Sequence, residues 1–220
     1  MSDSDQKPAL QAAIIPVTGF QQNCTLLWST ETMEGAVIDP GGDVDRILDA
    51  VKQSGVTVTQ IVLTHGHIDH AGGAKELKEA LGVDIIGPHE DDLFLLESLE
   101  ATGASYGIAG AQNVVPDRWL TEGETLTMAG VDWEIFHCPG HSPGSVVFFN
   151  KKARFAIVGD VLFAGSVGRT DLPRGNHEDL ISSIKTKLFP LGDDVGFLCG
   201  HGPGSNIGHE RQTNPFLQDS

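Results

Sequence analysis

Apolar residues along the chain fall into two periodicities. Short apolar runs at 12–17 (AAIIPV), 23–28 (NCTLLW), 35–39 (GAVID) and 60–63 (QIVL) predict strands, the third ended by Pro40-Gly41-Gly42. From Asp43 the spacing changes to that of a helix, with Val44, Ile47, Leu48 and Val51 on one face and Asp43 as the expected N-cap. A second helix is expected over 73–81, a strand at 83–86 and an acidic helix near 89–97. Segment 98–117 carries no clear period and reads as a loop or lid. Further on, 125–128 and 131–137 flank Ala129-Gly130 as a hairpin, and 145–149 pairs with 153–158 across Asn150-Lys151-Lys152. A helix at 177–188 and a strand at 195–199 complete the pattern. Each half is a run of strands followed by helices, with no repeat and no linker-like tract. The order suits an α/β or α+β chain of one domain, 1–220, in which two sheets pack together with helices outside.

Composition narrows the function classes. Asp and Glu total 30 against 14 Lys and Arg, a formal charge of −16. Such a chain repels phosphate backbones and anionic lipid surfaces, so neither nucleic acid nor membrane is an expected partner. No apolar run nears the ~18 residues of a spanning helix. MSDSDQKPAL has no basic segment leading into an apolar one, so a cytoplasmic location is expected. Cys24, Cys138 and Cys199 are scattered among apolar or Gly/Pro neighbours and are expected to be small buried hydrophobes. No P-loop, dinucleotide fingerprint or GxSxG elbow is present.

The chemistry lies in the histidines. Thr64-His65-Gly66-His67-Ile68-Asp69-His70 follows the strand at 60–63; His65 and His67, two apart on an extended loop, project to the same side. Asp69 and His70 follow on the bend into the next helix. His141 sits between two Pro/Gly turns after strand 131–137, Asp160 ends strand 153–158, and His201 ends strand 195–199. Each lies at a strand end followed by a loop, where sheet proteins build sites. A lone histidine on a strand is commonly a hydrogen-bonded core residue, but this dense run has little structural purpose without a metal. Imidazole and carboxylate donors suit zinc, iron or manganese better than calcium or magnesium.

These motifs, in this order, resemble those of the metallo-β-lactamase-fold hydrolases across nearly the whole chain. The resemblance implies an α+β fold, an αββα sandwich of two mixed sheets packed face to face. It implies two divalent ions, zinc foremost with iron or manganese as alternatives. His65, His67 and His141 would hold the first, Asp69, His70 and His201 the second, and Asp160 would bridge them. Asp39 matches the position that buttresses the ligands. The stretch Val158–Asp171, Gly200-His201-Gly202-Pro203 and the end His209–Leu217 resemble the short bacterial glyoxalase II-like group. That implies hydrolysis of the thioester in S-(2-hydroxyacyl)glutathione, with Asp69 also orienting the nucleophile. Only 19 residues follow His201, so no counterpart of the longer enzymes' helical glutathione-binding domain is expected.

Arg169 and Arg174 follow Asp160 closely and are candidates to face a small anionic thioester, such as S-lactoylglutathione. His89 is expected to cap a helix, His137 to be a buried hydrogen-bonded histidine, and His177 and His209 to lie on the surface. Glu90, Asp91 and Asp92 read as a solvated helix N-terminus. Two alternatives remain at this point. One is a mononuclear iron persulfide dioxygenase of the same fold, using His65, His141 and Asp160. The other is a non-catalytic binding protein whose loops are held by metal.

Overall fold

The computed structural model describes residues 10–218. The elements are β1 (Leu10–Val17), β2 (Gln22–Ser29), β3 (Glu34–Ile38), α1 (Val44–Ser54), β4 (Thr57–Val62), α2 (Ile68–Ala71), α3 (Ala74–Leu81) and β5 (Asp84–Ile86). A 3-10 turn at Glu90–Asp92 leads into α4 (Leu93–Leu96) and α5 (Leu99–Tyr106). Then come β6 (Thr125–Met128), β7 (Val131–His137), β8 (Val146–Asn150), β9 (Phe155–Ile157), β10 (Leu162–Phe163) and β11 (Ser166–Val167). The chain closes with α6 (His177–Ser183), β12 (Gly196–Leu198), β13 (Ser205–Asn206) and α7 (Ile207–Thr213).

Two mixed sheets result, ordered β1-β2-β3-β4-β5 and β13-β12-β9-β8-β7-β6. Strand alternation sorts their side chains into three apolar layers. Val37 of β3 and Ile61 of β4 point outward to Val44 and Ile47 of α1 and Leu77 of α3. Their neighbours Ile38 and Val62 point inward and meet Met128, Trp133 and Phe148 of the second sheet. Val147 and Phe149 of β8 face the other way, onto Leu180 of α6 and Ile207 of α7. Every residue of β8 is buried, as expected of a strand covered on both faces. The sandwich expected from the sequence is the fold observed.

Several local expectations change. Asp43 stands at the N-cap of α1, but its backbone is left-handed (φ 49°) and its side chain makes no cap bond; its Oδ2 accepts instead from Thr18 N–H at 2.7 Å. Within 98–117, residues 99–106 form α5 rather than a loop. The helix expected to 188 is α6 followed by one π turn, Ile184–Leu188. The acidic trio at 90–92 is not uniformly solvated, because Asp92 is wholly buried.

Topology puts the site at one edge. β3 and β4 are parallel, and β7, β9 and β12 share a direction because β8 is antiparallel to both β7 and β9. The carboxyl ends of these five strands lead into Asp39, the 64–70 loop, the 139–144 loop, Asp160 and His201. Bonds between loops fasten the sheets at that edge: Val146 N–H to Thr64 O at 2.8 Å and Asn23 N–H to Gly200 O at 2.7 Å.

Candidate metal centre

Asp39 organises the first loop. Its carboxylate accepts from Thr64 N–H at 2.7 Å, Thr64 Oγ1 at 2.6 Å and His70 Nδ1 at 2.9 Å. Because Thr64 Oγ1 donates to Asp39, it accepts from His65 Nδ1, 3.0 Å away. His141 Nδ1 donates to Arg169 O at 2.8 Å. In all three rings the proton is thus placed on Nδ1, and the Nε2 lone pair is turned to the centre, the arrangement that metal-ligating imidazoles adopt.

The rings of His65, His67 and His141 surround one point, with centroids 4.6–4.9 Å apart. Their donor atoms lie within 4.8 Å of one another, and so do those of Asp69, His70 and His201. Asp160 stands between the sets: Oδ1 is 3.3 Å from His70 Nε2, and Oδ2 is 3.6 Å from both His141 Nε2 and His201 Nε2. The structure therefore brings together all seven residues singled out as candidate ligands.

Buried Nε2 of His65, His67 and His70 and Oδ1 of Asp160 have no hydrogen-bond partner. Orphaned buried polar atoms are rare in native proteins, and those of His65, His70 and Asp160, gathered at one place, fit a group that only a bound cation satisfies; His67 turns its Nδ1 there, 2.9 Å from His141 Nε2. Gly200 leaves the space open: a Cβ there would lie 2.0 Å from Asp160 Oδ1 and 2.5 Å from His70 Cε1. Nitrogen and carboxylate donors without thiolate match a borderline divalent transition metal.

The two sets differ electrically. Burial, reinforced by neighbouring histidines, holds the His65 pKa far below its usual value. Burial and then His141 lower His67 to about 3, and burial is also the main cause of the lowered His141 value. These three are neutral imidazoles at pH 7. Burial opposes charging His70 too, but Asp160, Asp69 and Asp39 outweigh it and raise its pKa. His201 is raised by its bond to Asp69 (3.0 Å) and by Asp160, again against burial. Burial would raise Asp160, yet His70 and the other imidazoles hold it well below the carboxylate range. The second set thus calls for positive charge, whether proton or metal.

A cavity of about 950 Å³ opens over this centre. His67, Asp69, His141, Asp160 and His201 are on its surface, and Phe20, Phe94, Leu99, Tyr106, Phe163 and Leu172 supply much of the apolar wall. Segment 98–117 contributes through α5, whose Tyr106 meets Phe20 edge to face at 5.8 Å. Arg169 lines the cavity, with its guanidinium engaged by Asp171 at 2.7 and 2.8 Å. Arg174 is not among the lining residues; it lies 4.1 Å over the Phe94 ring, beside a separate depression with Glu90, Asp91 and Glu97.

His89 accepts from Asp91 N–H as the cap expected, and His137 Nε2 donates to Pro143 O as expected, although the residue is half-buried rather than buried. His177 and His209 are exposed. Cys24, Cys138 and Cys199 are buried free thiols. Burial raises the Cys199 pKa to about 11, so it is no nucleophile at neutral pH. The residue that sequence reading overlooked is Asp92. Its spacing to Leu96 and Leu99, both buried, places it on the inward face, a periodic signal the run of three acids obscures.

Comparison with known proteins agrees with this geometry. Residues 17–201 match the family described as the metallo-beta-lactamase superfamily. The chain is 48% identical to hydroxyacylglutathione hydrolase GloC of Haemophilus influenzae over 205 residues, 93% of this chain and 96% of that one. Among solved structures it resembles the BLEG-1 B3 metallo-beta-lactamase (TM-score 0.87, 34% identity, 95% of this chain and 100% of that one). It also resembles TTHA1623 in a di-iron-bound form (TM-score 0.84, 36% identity, 93% and 100%). With the sheet order, the donor clusters and these likenesses in agreement, the chain belongs to the metallo-beta-lactamase superfamily.

Proposed function

We propose that the protein is a cytoplasmic hydrolase that cleaves the thioester of S-(2-hydroxyacyl)glutathione, S-lactoylglutathione above all, with two divalent ions, most readily zinc. The carrying observation is that two three-donor sets, with Asp160 between them, border one large cavity through His67, His141, Asp69 and His201. The likeness to GloC, named for this substrate class, supports the choice of thioester. Three free, buried thiols suit a reducing compartment.

In this reading His65, His67 and His141 would hold one ion and Asp69, His70 and His201 the other, with Asp160 within reach of both sets. Such ions would supply hydroxide at neutral pH and polarise the carbonyl oxygen. The chain's own residues do the rest. Asp39 fixes His70 by its Nδ1 bond, and the Arg169 carbonyl does the same for His141. Asp69, whose Oδ2 lies 3.0 Å from His201 Nε2 at the cavity wall, also orients the attacking water. The apolar wall restricts water around the thioester. A thiolate with a pKa of about 8.5 leaves without a dedicated acid, consistent with the absence of a second carboxyl pair in this reading.

Arg169 receives the negative charge of the thiol carrier. Its bridge to Asp171 is exposed and screened by solvent, so a substrate carboxylate can displace it. Arg169→Gln should raise KM for S-lactoylglutathione about tenfold, and leave KM for a thioester of a neutral thiol unchanged. Equal effects on both substrates would remove this role.

The function is tested by quantifying metal on the preparation that is assayed. About two ions per chain and turnover of S-lactoylglutathione are expected. Metal-replete protein that leaves this thioester intact, but consumes oxygen with glutathione persulfide, would replace the hydrolase reading with the dioxygenase one.

A further inference from the structure

The two loops that carry His65, His67 and His141 meet on a single buried carboxylate. Asp92 Oδ2 accepts from Gly66 N–H at 2.8 Å and from Ser142 Oγ at 2.7 Å, and Oδ1 accepts from Gly144 N–H at 2.6 Å. Asp92 is 0% exposed. Both glycines make room for it: a Cβ on Gly144 would sit 2.5 Å from Asp92 Cγ, and one on Gly66 3.2 Å from Asp92 Cβ. The Gly of His-Gly-His and the Pro-Gly after His141 thus admit the same side chain.

The surrounding segment grips the same loop. His137 Nε2 donates to Pro143 O at 2.7 Å, and His89 N–H donates to Gly144 O at 3.1 Å. His89, Asp91 and His137 also bring three donor atoms within 4.8 Å of one another. Their rings, however, stack at 4.0 Å with planes 11° apart, so one ion cannot lie in both ring planes. This cluster works as a clamp.

We propose that Asp92 is a positioning residue that holds the His65/His67 loop and the His141 loop in register, and so sets the metal affinity of that donor set separately from the set of Asp69, His70 and His201. The proposal rests on the ligand assignment given above. Asp39 bonds His70 of the second set and, through Thr64, steadies His65 of the first; Asp92 bonds the backbone of both first-set loops and neither loop end of the second. Burial raises the Asp92 pKa to about 6 against the lowering effect of its three donors. A group kept buried at that cost to its charged form is doing something an apolar residue would not do.

Asparagine distinguishes positioning from packing, because it preserves volume and removes one acceptor. Whichever way its amide sits, the NH2 faces a backbone N–H: that of Gly144, which displaces the His141 loop, or that of Gly66, which displaces the His65/His67 loop. Stepwise Zn²⁺ affinities of the full chain, measured by competition with a chromophoric chelator, provide the test. His141→Ala and His201→Ala identify which step belongs to which set.

Asp92→Asn should weaken the His141-dependent step by about 10–100-fold, the usual cost of losing such outer support, and leave the His201-dependent step within about twofold. Ser142→Ala removes one of the three donors and should weaken the same step several-fold, which keeps the test open if Asp92→Asn does not fold. Equal weakening of both steps would reduce Asp92 to a structural residue, and unchanged affinities in both variants would overturn the proposal. Wild-type protein that binds no Zn²⁺ would overturn the ligand assignment itself. Binding of two ions without thioesterase activity would leave this proposal standing and remove only the substrate.

Discussion

Asp160→Asn is expected to lower kcat/KM for the thioester by about 10³-fold or more and to reduce the metal content of the purified chain. A Lewis-acid centre contributes several kcal/mol to the barrier, and each ~1.4 kcal/mol is a tenfold change in rate. Asp160 is the residue within 3.6 Å of both donor sets, one oxygen near His70 and the other near His141 and His201. Asparagine keeps the side-chain volume in the crowded space beside Gly200, so packing changes little. It removes the charge and one acceptor oxygen. Initial rates and metal analysis on the same preparation check the prediction; a variant retaining both ions and wild-type rates would remove Asp160 from the centre.

The second large effect is acid sensitivity of the chelator-stripped protein. His65, His67 and His141 have folded pKa values below the ordinary 6.5, so the unfolded chain takes up protons first as pH falls. Stability from these groups is complete above pH 6.5 and is lost on descent toward their folded values, about 3 for His67. Asp92 acts oppositely: raised to about 6, it binds a proton in the fold before it does so in the unfolded chain and offsets one of the three between pH 6 and 4. His70 and His201, raised above 6.5, stabilise the fold fully below that pH and lose this contribution as pH rises through their folded values.

The three lowered imidazoles outnumber the one raised carboxylate, so unfolding takes up protons and stability falls as pH descends below 6.5. Urea unfolding of stripped protein at pH 6.5, 5.5 and 4.5 measures it, and a flat profile would contradict these shifts. Restoring the metal should move the loss to lower pH, since a bound ion excludes the proton from each imidazole.

Much of this was legible before any coordinates. Each strand that leads into a candidate donor reads as a short apolar run, and the donors stand within a few residues of its end, so motif and element agree. β10 and β11 were not legible because two residues each carry no period. The helix α5 was missed for a related reason: in LEATGASY only Leu99 and Gly103 are buried, and its remaining face lies against the cavity and solvent. Arg169 and Arg174 look equivalent in sequence, five residues apart, yet one lines the cavity and the other stacks on Phe94 outside it. Side-chain direction on an irregular segment follows from what it packs against, which local spacing does not encode.

The sequence by itself determined the alternation of strands and helices, the candidate donor residues and, by resemblance, the family. These depend on local periodicity and on residue chemistry, both of which are written along the chain. The tertiary structure alone decided which groups meet: that Asp160 stands between two donor sets, that Gly200 leaves the space beside it, and that Asp92 ties Gly66 to Gly144 across more than fifty residues. Those contacts arise from the packing of two sheets and from the phase of one short helical turn against loops from both. No local pattern carries that phase, because it is set by the surfaces that the rest of the fold presents.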